Sequence, residues 1–390
     1  DSFFFMQLQN WINTELFQEI KSLLQKSLSP RINQIQKWAN DNPTAPISEL
    51  ITSASLQIKY KEKLQITDKW LLTEKNAQQA SSYAVAEYNG SIMQEFTKCA
   101  DLCCGIGMDL WAIAKNKTEC FAIDLSPEIL SFAKYNMSLY PDRNINFLNM
   151  KAEDFTEPVE CIFIDPDRRF DDKRSNNPFN MSPNLTALEG IAQKYSKYAI
   201  KLSPMLDYDK YDFFKDGQLH FVQEHNELKE ILFCSADLSQ SKAKKCVLLP
   251  ENISFIEDNE KNTHVIAIKK YLYEPVVSII KAHLIENLAA KLNLNKIDQK
   301  LALLTSDITI ESPFVKRYEV FSIMDFSLKK LNAFIAEHDI GYLDIKTRGF
   351  SETVESFRKK IKIKKGKKNA VLFILKMDKK HQFIIANFTS

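Results

Sequence analysis

The sequence predicts a multidomain α/β protein, and three observations along its 390 residues carry that prediction. A strand, a glycine turn, a helix and a second strand ending in an acid follow one another between residues 99 and 124. The residues before about 80 show helical periodicity and no strand-like runs. The residues after about 250 mix strand-like and helix-like segments, as compact α+β modules do. A chain of this length is expected to form two or three domains.

The first element is a helical N-terminal region. Leu16, Ile20, Leu23 and Leu24 recur at the spacing of three to four residues that places side chains on one face of a helix. After it we predict a central α/β domain whose last strands form an antiparallel hairpin. A small α+β segment with a strand at 264–273 and a helix at 276–292 follows, and then a basic α+β domain. The predicted bounds of the four parts are 1–80, 81–250, 251–315 and 316–390.

Composition restricts the class of protein. No apolar run approaches the roughly 18 to 20 residues that cross a bilayer, and the three phenylalanines at 3–5 are too short for a signal sequence and lack a basic segment before them. The seven cysteines include no Cys-x-x-Cys and mostly lie in or beside predicted core strands, which is typical of reduced, buried thiols. The six histidines have no metal-ligand spacing. We expect a cytoplasmic protein without a membrane or metal partner.

The central domain begins with a turn that contains Gly105 and Gly107. These glycines follow a short apolar strand and precede a helical run, and a second strand ends on Asp124, seventeen residues after Gly107. Glycine lets the backbone pass close to a ligand where a Cβ would clash. The following helix offers N–H groups without intrahelical partners, and an acid at the end of the second strand can accept both hydrogens of a ribose diol. The pattern predicts half of a Rossmann-like nucleotide-binding unit.

The residues around the glycines favour one ligand. The third glycine of a dinucleotide-binding fingerprint is absent, because Asp109 and Leu110 occupy that stretch. Instead, Asp101 precedes Gly105 by four residues. This acid-x-x-x-Gly-x-Gly order resembles motif I of the class I S-adenosylmethionine-dependent methyltransferases, with Cys103 in place of the usual first glycine. A carboxylate suits a cofactor that carries an ammonium and a sulfonium. The alternative is a buried strand–turn–helix with two ordinary glycines.

The resemblance also implies which residues contact S-adenosylmethionine. The motif I residues would surround the methionine moiety, and the acid after the second strand would hold the ribose. A backbone N–H and an acid after the third strand would meet the adenine. The residues assigned to the cofactor are Asp101, Cys103, Gly105, Gly107, Asp124, Leu125, Ala152, Glu153 and Asp154.

A polar loop follows the fourth predicted strand, where class I methyltransferases keep motif IV. Because ligands lie beyond the carboxyl ends of strands in open α/β sheets, this loop should face the site. Enzymes that methylate the amino groups of bases carry (Asp/Asn)-Pro-Pro-aromatic here, and its oxygens accept hydrogens from the amine. The predicted catalytic residues are Asp165, Pro166, Asp167 and Arg168.

Motif IV departs from that pattern at its last two positions, and Asp167 takes the place of the second proline. Arg168 replaces the stacking aromatic, for which Phe170 and Tyr208 are candidates. The alternative role of Asp165 and Arg168 is a strand-end cap with an exposed salt bridge. The loop after the fifth strand, residues 201–205, contains no cysteine, so a covalent cysteine mechanism is not expected.

The C-terminal domain carries a strong positive charge. Residues 316–390 hold 17 Lys+Arg against 8 Asp+Glu, whereas residues 1–315 hold 35 against 42. Eight of the eleven residues from 358 to 368 are basic. Such a run is often only a solvated loop, but its concentration on one small domain favours a phosphate-binding surface. The predicted RNA-contacting residues are Lys346, Arg348, Lys362, Lys364, Lys365, Lys367 and Lys368.

Most of the chain resembles one bacterial family of class I methyltransferases. The similarity includes motifs I and IV together with Tyr273-Glu274-Pro275, Ser312-Pro313-Phe314 and residues 344–349. Members combine a helical N-terminal region, the methyltransferase domain, a ferredoxin-like segment and a C-terminal THUMP-like domain. The resemblance implies S-adenosylmethionine binding and modification of a base in tRNA or rRNA. The alternative function is methylation of a protein or small molecule, with the C-terminal module as a protein-interaction domain.

Overall fold

The computed structural model describes residues 8, 10–26, 30–65, 68–167, 169–170, 173–174, 177–363, 366–377 and 380–388, with the backbone alone at 169–170 and 173–174. The chain divides into two compact units, Asp1–Phe255 and Ile256–Ser390. The finer division into four parts stays a prediction. The fold class is as predicted, with an α/β unit followed by a mixed α+β unit.

The N-terminal region of the first unit is helical. One of its helices begins after Thr14, whose Oγ1 accepts a hydrogen bond from Phe17 N at 3.3 Å. This helix buries Leu16, Phe17 and Ile20. The hydroxyl cap satisfies an N–H group that has no partner within the helix. The helices before the sheet are α1 (Glu15–Gln25), α2 (Ile32–Asp41), α3 (Ile47–Lys59), α4 (Lys61–Leu64), α5 (Glu74–Gln79) and α6 (Tyr83–Ile92).

A nine-stranded sheet forms the centre of the first unit. Its strands are β1 (Lys98–Leu102), β2 (Glu119–Asp124), β3 (Ile145–Asn149), β4 (Cys161–Ile164), β7 (Tyr198–Leu202), β8 (Gly217–Glu224), β9 (Glu227–Ser235), β10 (Lys245–Leu249) and β11 (Ile253–Ile256). They lie in the order β11-β10-β8-β9-β7-β4-β1-β2-β3. The short strands β5 (Arg169–Phe170) and β6 (Lys173–Arg174) pair only with each other. Every residue of β4 and β7 is buried, because helices cover both faces of such a sheet.

Strand direction decides which residues reach the functional edge. Strands β3, β2, β1, β4 and β7 run parallel, so their carboxyl ends meet at one edge. Strand β9 runs antiparallel to both β7 and β8, which confirms the hairpin predicted near the end of the set. The start of β9 therefore lies at the same edge as the ends of the parallel strands. The remaining helices of this unit are α7 (Met108–Ile113), α8 (Pro127–Ser138), α9 (Leu185–Lys194) and α10 (Ala236–Ser239).

The second unit is built on a seven-stranded sheet. Its strands are β12 (Tyr271–Pro275), β13 (Asn295–Lys296), β14 (Leu304–Ser306), β15 (Val315–Asp325), β16 (Ile340–Arg348), β17 (Lys368–Met377) and β18 (Lys380–Phe388). They lie in the order β13-β14-β12-β15-β18-β17-β16. The helices of this unit are α11 (Val277–Lys281), α12 (Ile285–Lys291), α13 (Leu328–Glu337) and α14 (Val354–Arg358). Strand β17 is buried on both faces, with Leu372 in one hydrophobic cluster and Phe373 in the other.

Two expectations for this unit were wrong. The strand expected at 264–273 forms only at Tyr271–Pro275. The single helix expected at 276–292 is two helices, because His283 between them adopts a left-handed conformation with φ of 60° that a continuous helix cannot contain.

Candidate active site

A cleft of about 1510 Å³ opens at the carboxyl edge of the parallel strands. The predicted motif I and motif IV residues both line it. Among the described residues that line the cleft, eleven are Asp or Glu and five are Lys. The cleft is therefore an acidic environment that favours a cationic ligand.

The glycine turn between β1 and α7 forms one wall of this cleft. Cys103, Gly105 and Gly107 all have positive φ, at 77°, 55° and 93°. The N–H groups of Cys103 and Cys104 donate to the Ile123 carbonyl at 2.8 and 2.9 Å, which fastens the turn to β2. A Cβ built on Gly105 would meet nothing within 4 Å. Gly105 thus presents bare backbone to open space, as a turn that receives a ligand requires.

Asp124 closes the turn from the end of β2. Its Oδ2 accepts a hydrogen bond from Gly105 N at 3.1 Å, and its Oδ1 accepts one from Ser126 N at 2.9 Å. Burial raises the pKa of Asp124, and the two backbone hydrogen bonds partly offset that effect. Each carboxylate oxygen has further lone pairs that can accept hydroxyl hydrogens. The position suits the ribose contact expected of this residue.

Asp101 lies at the base of the cleft, near the end of β1. Its side chain is 1% exposed, and among the described residues neither carboxylate oxygen has a hydrogen-bond partner. Burial raises its pKa well above the ordinary value, and the nearby carboxylates of Asp109 and Asp165 raise it further. A buried acceptor without a donor is costly. An ammonium group bound in the cleft, directly or through one water, would supply the missing donor, so the residues fit the cofactor that motif I implies.

The predicted adenine-side residues divide into two sets. Leu125, which is 60% exposed, lines the cleft together with Ala152 and Glu153. Asp154 follows them in a single 3-10 turn, but its side chain is exposed and it is not among the cleft residues. The acid candidate at this wall is therefore Glu153, whose carbonyl accepts a hydrogen bond from Lys194 Nζ at 2.6 Å.

Motif IV lies opposite the glycine turn, at the end of β4. Asp165, Pro166 and Asp167 line the cleft. Asp167 exchanges two backbone hydrogen bonds of 2.9 Å with Ser182, which fixes the end of the motif against a neighbouring loop. Arg168 lies outside the described residues. The Asp167 side chain is exposed, and Pro166 is buried and carries no charge. Asp165 is the ionisable group of the motif that pairs with Lys201.

The candidates for the missing stacking aromatic are not confirmed. Tyr208 is buried, packs its ring against Phe221 at 5.4 Å and is not among the cleft residues. The side chain of Phe170 is not described. The exposed apolar side chain that does line the cleft beside motif IV is Met205, which is 69% exposed.

The structure adds a lysine that sequence reasoning did not single out. Lys201, on β7, donates to Asp165 Oδ2 at 2.7 Å and to Ser81 Oγ at 2.8 Å. Its Nζ also lies 3.6 Å from Asp109 Oδ2 and 3.9 Å from Glu230 Oε2. The signal in the sequence that could have identified Lys201 is its position as a lone lysine within the otherwise apolar strand Tyr198–Leu202. Its acidic partners could not be assigned, because they come from distant parts of the sequence.

The protonation of this cluster follows from its burial. Burial lowers the pKa of Lys201, but the carboxylates of Asp165, Asp109 and Glu230 outweigh that effect and raise it, so the side chain remains an ammonium. Burial raises the pKa of Glu230 to about 8, which the Lys201 charge only partly offsets. The cluster therefore keeps fewer negative charges at neutral pH than its number of acids implies.

Neither covalent nor metal chemistry is indicated by the described side chains. Burial and neighbouring carboxylates raise the pKa of the Cys103 thiol, and burial does the same for Cys104. Reactive cysteines need a lowered pKa. The described residues contain no group of three or more His, Cys, Asp or Glu arranged to hold a metal ion. Within the same part of the chain, no helix combines the length and hydropathy needed to cross a membrane.

The predicted RNA-contacting residues of the second unit also divide into two sets. Lys346 donates to Glu274 Oε2 and to Tyr318 OH, and Arg348 donates to Glu274 Oε1 at 2.8 Å. Glu274 is buried, so both cations neutralise an internal acid. Their contact with RNA stays a prediction. Lys362, Lys367 and Lys368 are exposed, and Lys364 and Lys365 lie outside the described residues.

Comparisons with known proteins agree with this architecture. Residues 315–387 match the family described as THUMP domain-like. An uncharacterised S-adenosylmethionine-dependent methyltransferase of Mycobacterium tuberculosis, found in two strains, is 23% identical over 319 residues, which cover 78% of this chain and 84% of that protein. A crystal structure from Porphyromonas gingivalis W83, provisionally named a methyltransferase, has 22% identity, a TM-score of 0.78, and covers 96% of this chain and 98% of that one.

The fold and the sequence similarity together identify a class I methyltransferase. The P. gingivalis structure shares the fold over nearly the whole length of both chains, and the mycobacterial relative supports the predicted family. This chain is accordingly a class I S-adenosylmethionine-dependent methyltransferase with a C-terminal THUMP-like domain.

Proposed function

We propose that this methyltransferase modifies an amino nitrogen of a base in tRNA or rRNA. The observation that carries the proposal is the position of Asp165 and Pro166 at the end of β4, in the same cleft as Asp101 and Asp124. One wall of the cleft suits the cofactor, and the motif IV wall suits an N–H donor. When bound, S-adenosylmethionine supplies a methyl group activated by its sulfonium.

The side chains of the cleft would act by binding and orientation. Asp124 accepts the ribose hydroxyls, and Asp101 balances the positive charge of the cofactor. Asp165 and the Pro166 carbonyl accept hydrogens from the substrate amine, which leaves the nitrogen lone pair directed at the methyl group. Holding two reactants in this geometry supplies much of the rate enhancement in such a reaction.

RNA is the favoured substrate because of the second unit. Its C-terminal segment matches a THUMP-like family, and exposed lysines flank the start of β17 at Lys362, Lys367 and Lys368. These lysines can contact phosphates without reading sequence. The basic run contains no aromatic side chain that would stack on an unpaired base. We therefore assign affinity to this surface and chemical selectivity to the cleft.

A second candidate substrate is a cationic protein or small-molecule amine. The observation that favours it is the excess of acids in the cleft, eleven against five lysines among the described lining residues. Carboxylates attract an amine or guanidinium and repel phosphate. In an RNA substrate, the phosphates would therefore have to stay outside the cleft while the base enters it.

Methyl transfer from labelled S-adenosylmethionine to unmodified total RNA and to total protein distinguishes the two candidates. The purified full-length chain should label RNA and leave protein unlabelled. The Asp165→Ala variant provides the active-site control and should label neither fraction. Label in protein alone would overturn the RNA proposal in favour of the amine substrate.

The basic surface is tested by the variant in which Lys362, Lys364, Lys365, Lys367 and Lys368 are all replaced by Gln. RNA binding should weaken, and the slope of log K against log salt should flatten by roughly 0.7 to 0.9 for each phosphate that the variant no longer neutralises. Replacing five exposed lysines elsewhere, such as those at 26, 37, 61, 134 and 210, is the charge-matched control. An equal loss of affinity in both variants would show only a general effect of net charge.

A further inference from the structure

We propose that Lys201 is the positioning residue of this site, a side chain that holds the Asp165 carboxylate in the orientation that meets the substrate nitrogen. The inference rests on the proposed methyl transfer and assigns a role to a residue outside both methyltransferase motifs. Its basis is the set of contacts around one buried ammonium. The short hydrogen bond from Lys201 Nζ to Asp165 Oδ2, at 2.7 Å, is the central contact.

The fold fixes Lys201 before it meets Asp165. The residue lies on β7, which pairs with β4, so its strand is the immediate neighbour of the strand that ends at motif IV. The Lys201 side chain is only 10% exposed, and that of Asp165 is 29% exposed. The lysine therefore approaches the carboxylate from the protein interior, and the aspartate extends toward the cleft.

A second set of contacts also restrains the ammonium. Ser81 Oγ accepts a hydrogen bond from Lys201 and donates one to Asp109 Oδ2 at 2.7 Å. Asn89 Nδ2 donates to Asp109 Oδ1 at 2.9 Å. The serine and the acid are themselves fixed, so Lys201 cannot swing away from Asp165 without breaking this network.

The charge balance explains why a lysine is needed there. Asp165, Asp109 and Glu230 each have a carboxyl oxygen within 3.9 Å of Lys201 Nζ, and those acids that are ionised would repel one another without a cation. Because three acids surround it, Lys201 remains protonated despite its burial. A permanent cation at 2.7 Å disfavours protonation of Asp165. Asp165 is then suited to accept hydrogen bonds from a substrate amine and poorly suited to remove a proton from it.

This arrangement specifies the chemical step. The nitrogen lone pair forms the new N–C bond, the C–S bond breaks, and its electron pair remains on sulfur to give a neutral thioether. The nitrogen becomes cationic in this step and then loses its extra proton to bulk water. Asp165 orients the amine and stabilises the developing positive charge, and Lys201 maintains the orientation of Asp165.

The test compares Lys201→Met with Lys201→Arg in the full-length chain, using RNA methylation over a range of pH. Lys201→Met should lower kcat by roughly 100-fold, leave the KM for RNA nearly unchanged, and leave the affinity for S-adenosylhomocysteine within about twofold. The acid limb of the plot of kcat against pH should move to higher pH by about 1 to 3 pH units in this variant, because loss of an opposite charge raises the pKa of an aspartate. Lys201→Arg keeps the charge, so its kcat should be about tenfold higher than that of Lys201→Met.

Matched variants separate positioning from folding. Lys210→Met removes an exposed lysine that pairs with Asp207 and should behave as wild type. Ser81→Ala keeps every charge but removes one support of Lys201, so it should reduce kcat by about tenfold without moving the pH profile. If Lys201→Met does not fold, this serine variant still tests the restraint.

Two outcomes would overturn the proposal. One is a folded Lys201→Met variant with an unmoved acid limb, and the other is a Ser81→Ala variant with wild-type kcat. Absence of methyl transfer to RNA by the wild-type chain would instead contradict the proposed function. In that case, titration of the Asp165 carboxyl by carbon-13 NMR, which needs no substrate, still tests the pairing and should move to higher pH in Lys201→Met.

Discussion

Replacement of Asp101 by Asn isolates the contribution of one buried charge to cofactor binding. The substitution preserves side-chain shape and removes the carboxylate that is 1% exposed and has no hydrogen-bond partner among the described residues. Burial raises the pKa of Asp101, so without a bound cation this group stays protonated to higher pH than an ordinary aspartate. An incoming ammonium favours the ionised form, so we expect cofactor binding to release a proton.

The expected loss of cofactor affinity follows from the hydrogen bond to the charged carboxylate that the substitution removes. A hydrogen bond to a charged group contributes about 1.5 to 3 kcal/mol, so Asp101→Asn should bind S-adenosylhomocysteine roughly 10- to 150-fold more weakly. At 100 times its Kd, the ligand stabilises the wild type by about 2.7 kcal/mol. That stabilisation corresponds to a Tm increase of about 5 to 10 °C for a unit of this size. At the same ligand concentration, a variant with 100-fold weaker binding should gain only about 1 to 2 °C.

Two measurements check this prediction. Thermal melts give the ligand-induced Tm increase, and calorimetry in buffers of different ionisation enthalpy counts the protons released. A carboxyl whose folded pKa is raised stabilises the fold at low pH and loses that contribution as pH rises from about 3.8 through the folded value. The unliganded Asp101→Asn variant should therefore be more stable than the wild type at pH 8, and the difference should shrink on acidification.

The control is Asp142→Asn, an isosteric change at an exposed aspartate outside the cleft. It should leave the ligand-induced Tm increase and the proton release unchanged. Equal ligand affinity in Asp101→Asn and the wild type would refute the reasoning, because the buried carboxylate would then have no part in holding the cofactor.

The other predictions concern the opposite walls of the cleft and the second unit. Asp124→Ala should weaken S-adenosylhomocysteine binding by about 1.5 to 3 kcal/mol for each ribose hydrogen bond that it removes, and calorimetry showing tighter NAD binding than S-adenosylhomocysteine binding would contradict the ribose assignment. Asp165→Ala should lower methyl transfer by roughly 100-fold while cofactor affinity stays nearly constant, a separation that kinetics and calorimetry measure together. Glu274→Gln should destabilise the second unit by about 1.5 to 3 kcal/mol in denaturant melts, because it leaves Lys346 without its carboxylate partner. Burial raises the pKa of Glu274, but the Lys346 hydrogen bond and charge outweigh that effect and lower the pKa. The difference in unfolding free energy between the variant and the wild type should therefore be present above about pH 4.5 and vanish as pH falls through the lowered pKa.

The strands, turn and helix that carry the proposed cofactor residues could be predicted because these residues are close together in sequence. Asp101, Gly105 and Gly107 belong to one strand–turn–helix segment, and Asp124 ends the next strand. Local spacing determines their arrangement once the strands pair in parallel. Motif IV could be placed for the same reason, since the strand before it is an uninterrupted apolar run.

The charge cluster around Lys201 could not be predicted in this way. Its acids come from α7, β9 and motif IV, and Ser81 precedes α6, so the cluster depends on tertiary packing. A similar limit applies to the ion pairs of Lys346 and Arg348. Both residues belong to a domain of basic composition, but they form ion pairs with Glu274, which is more than 70 residues earlier in the chain.

The reversed direction of β9 has a consequence for how this enzyme could diversify. Glu230 reaches the cleft from near the beginning of a strand, whereas the cofactor-side residues reach it from strand ends. The hairpin tip that precedes it consists of a turn at 225–226 between Glu224, the last residue of β8, and Glu227, the first residue of β9. This tip can change in length or sequence without shifting the loops after β1 and β2. Mutational tolerance should accordingly differ around the edge of the cleft. Changes in this hairpin tip should be tolerated and alter substrate preference, whereas the glycine turn should tolerate almost no insertion. A library confined to residues 224–229 would alter acceptor preference at constant cofactor affinity.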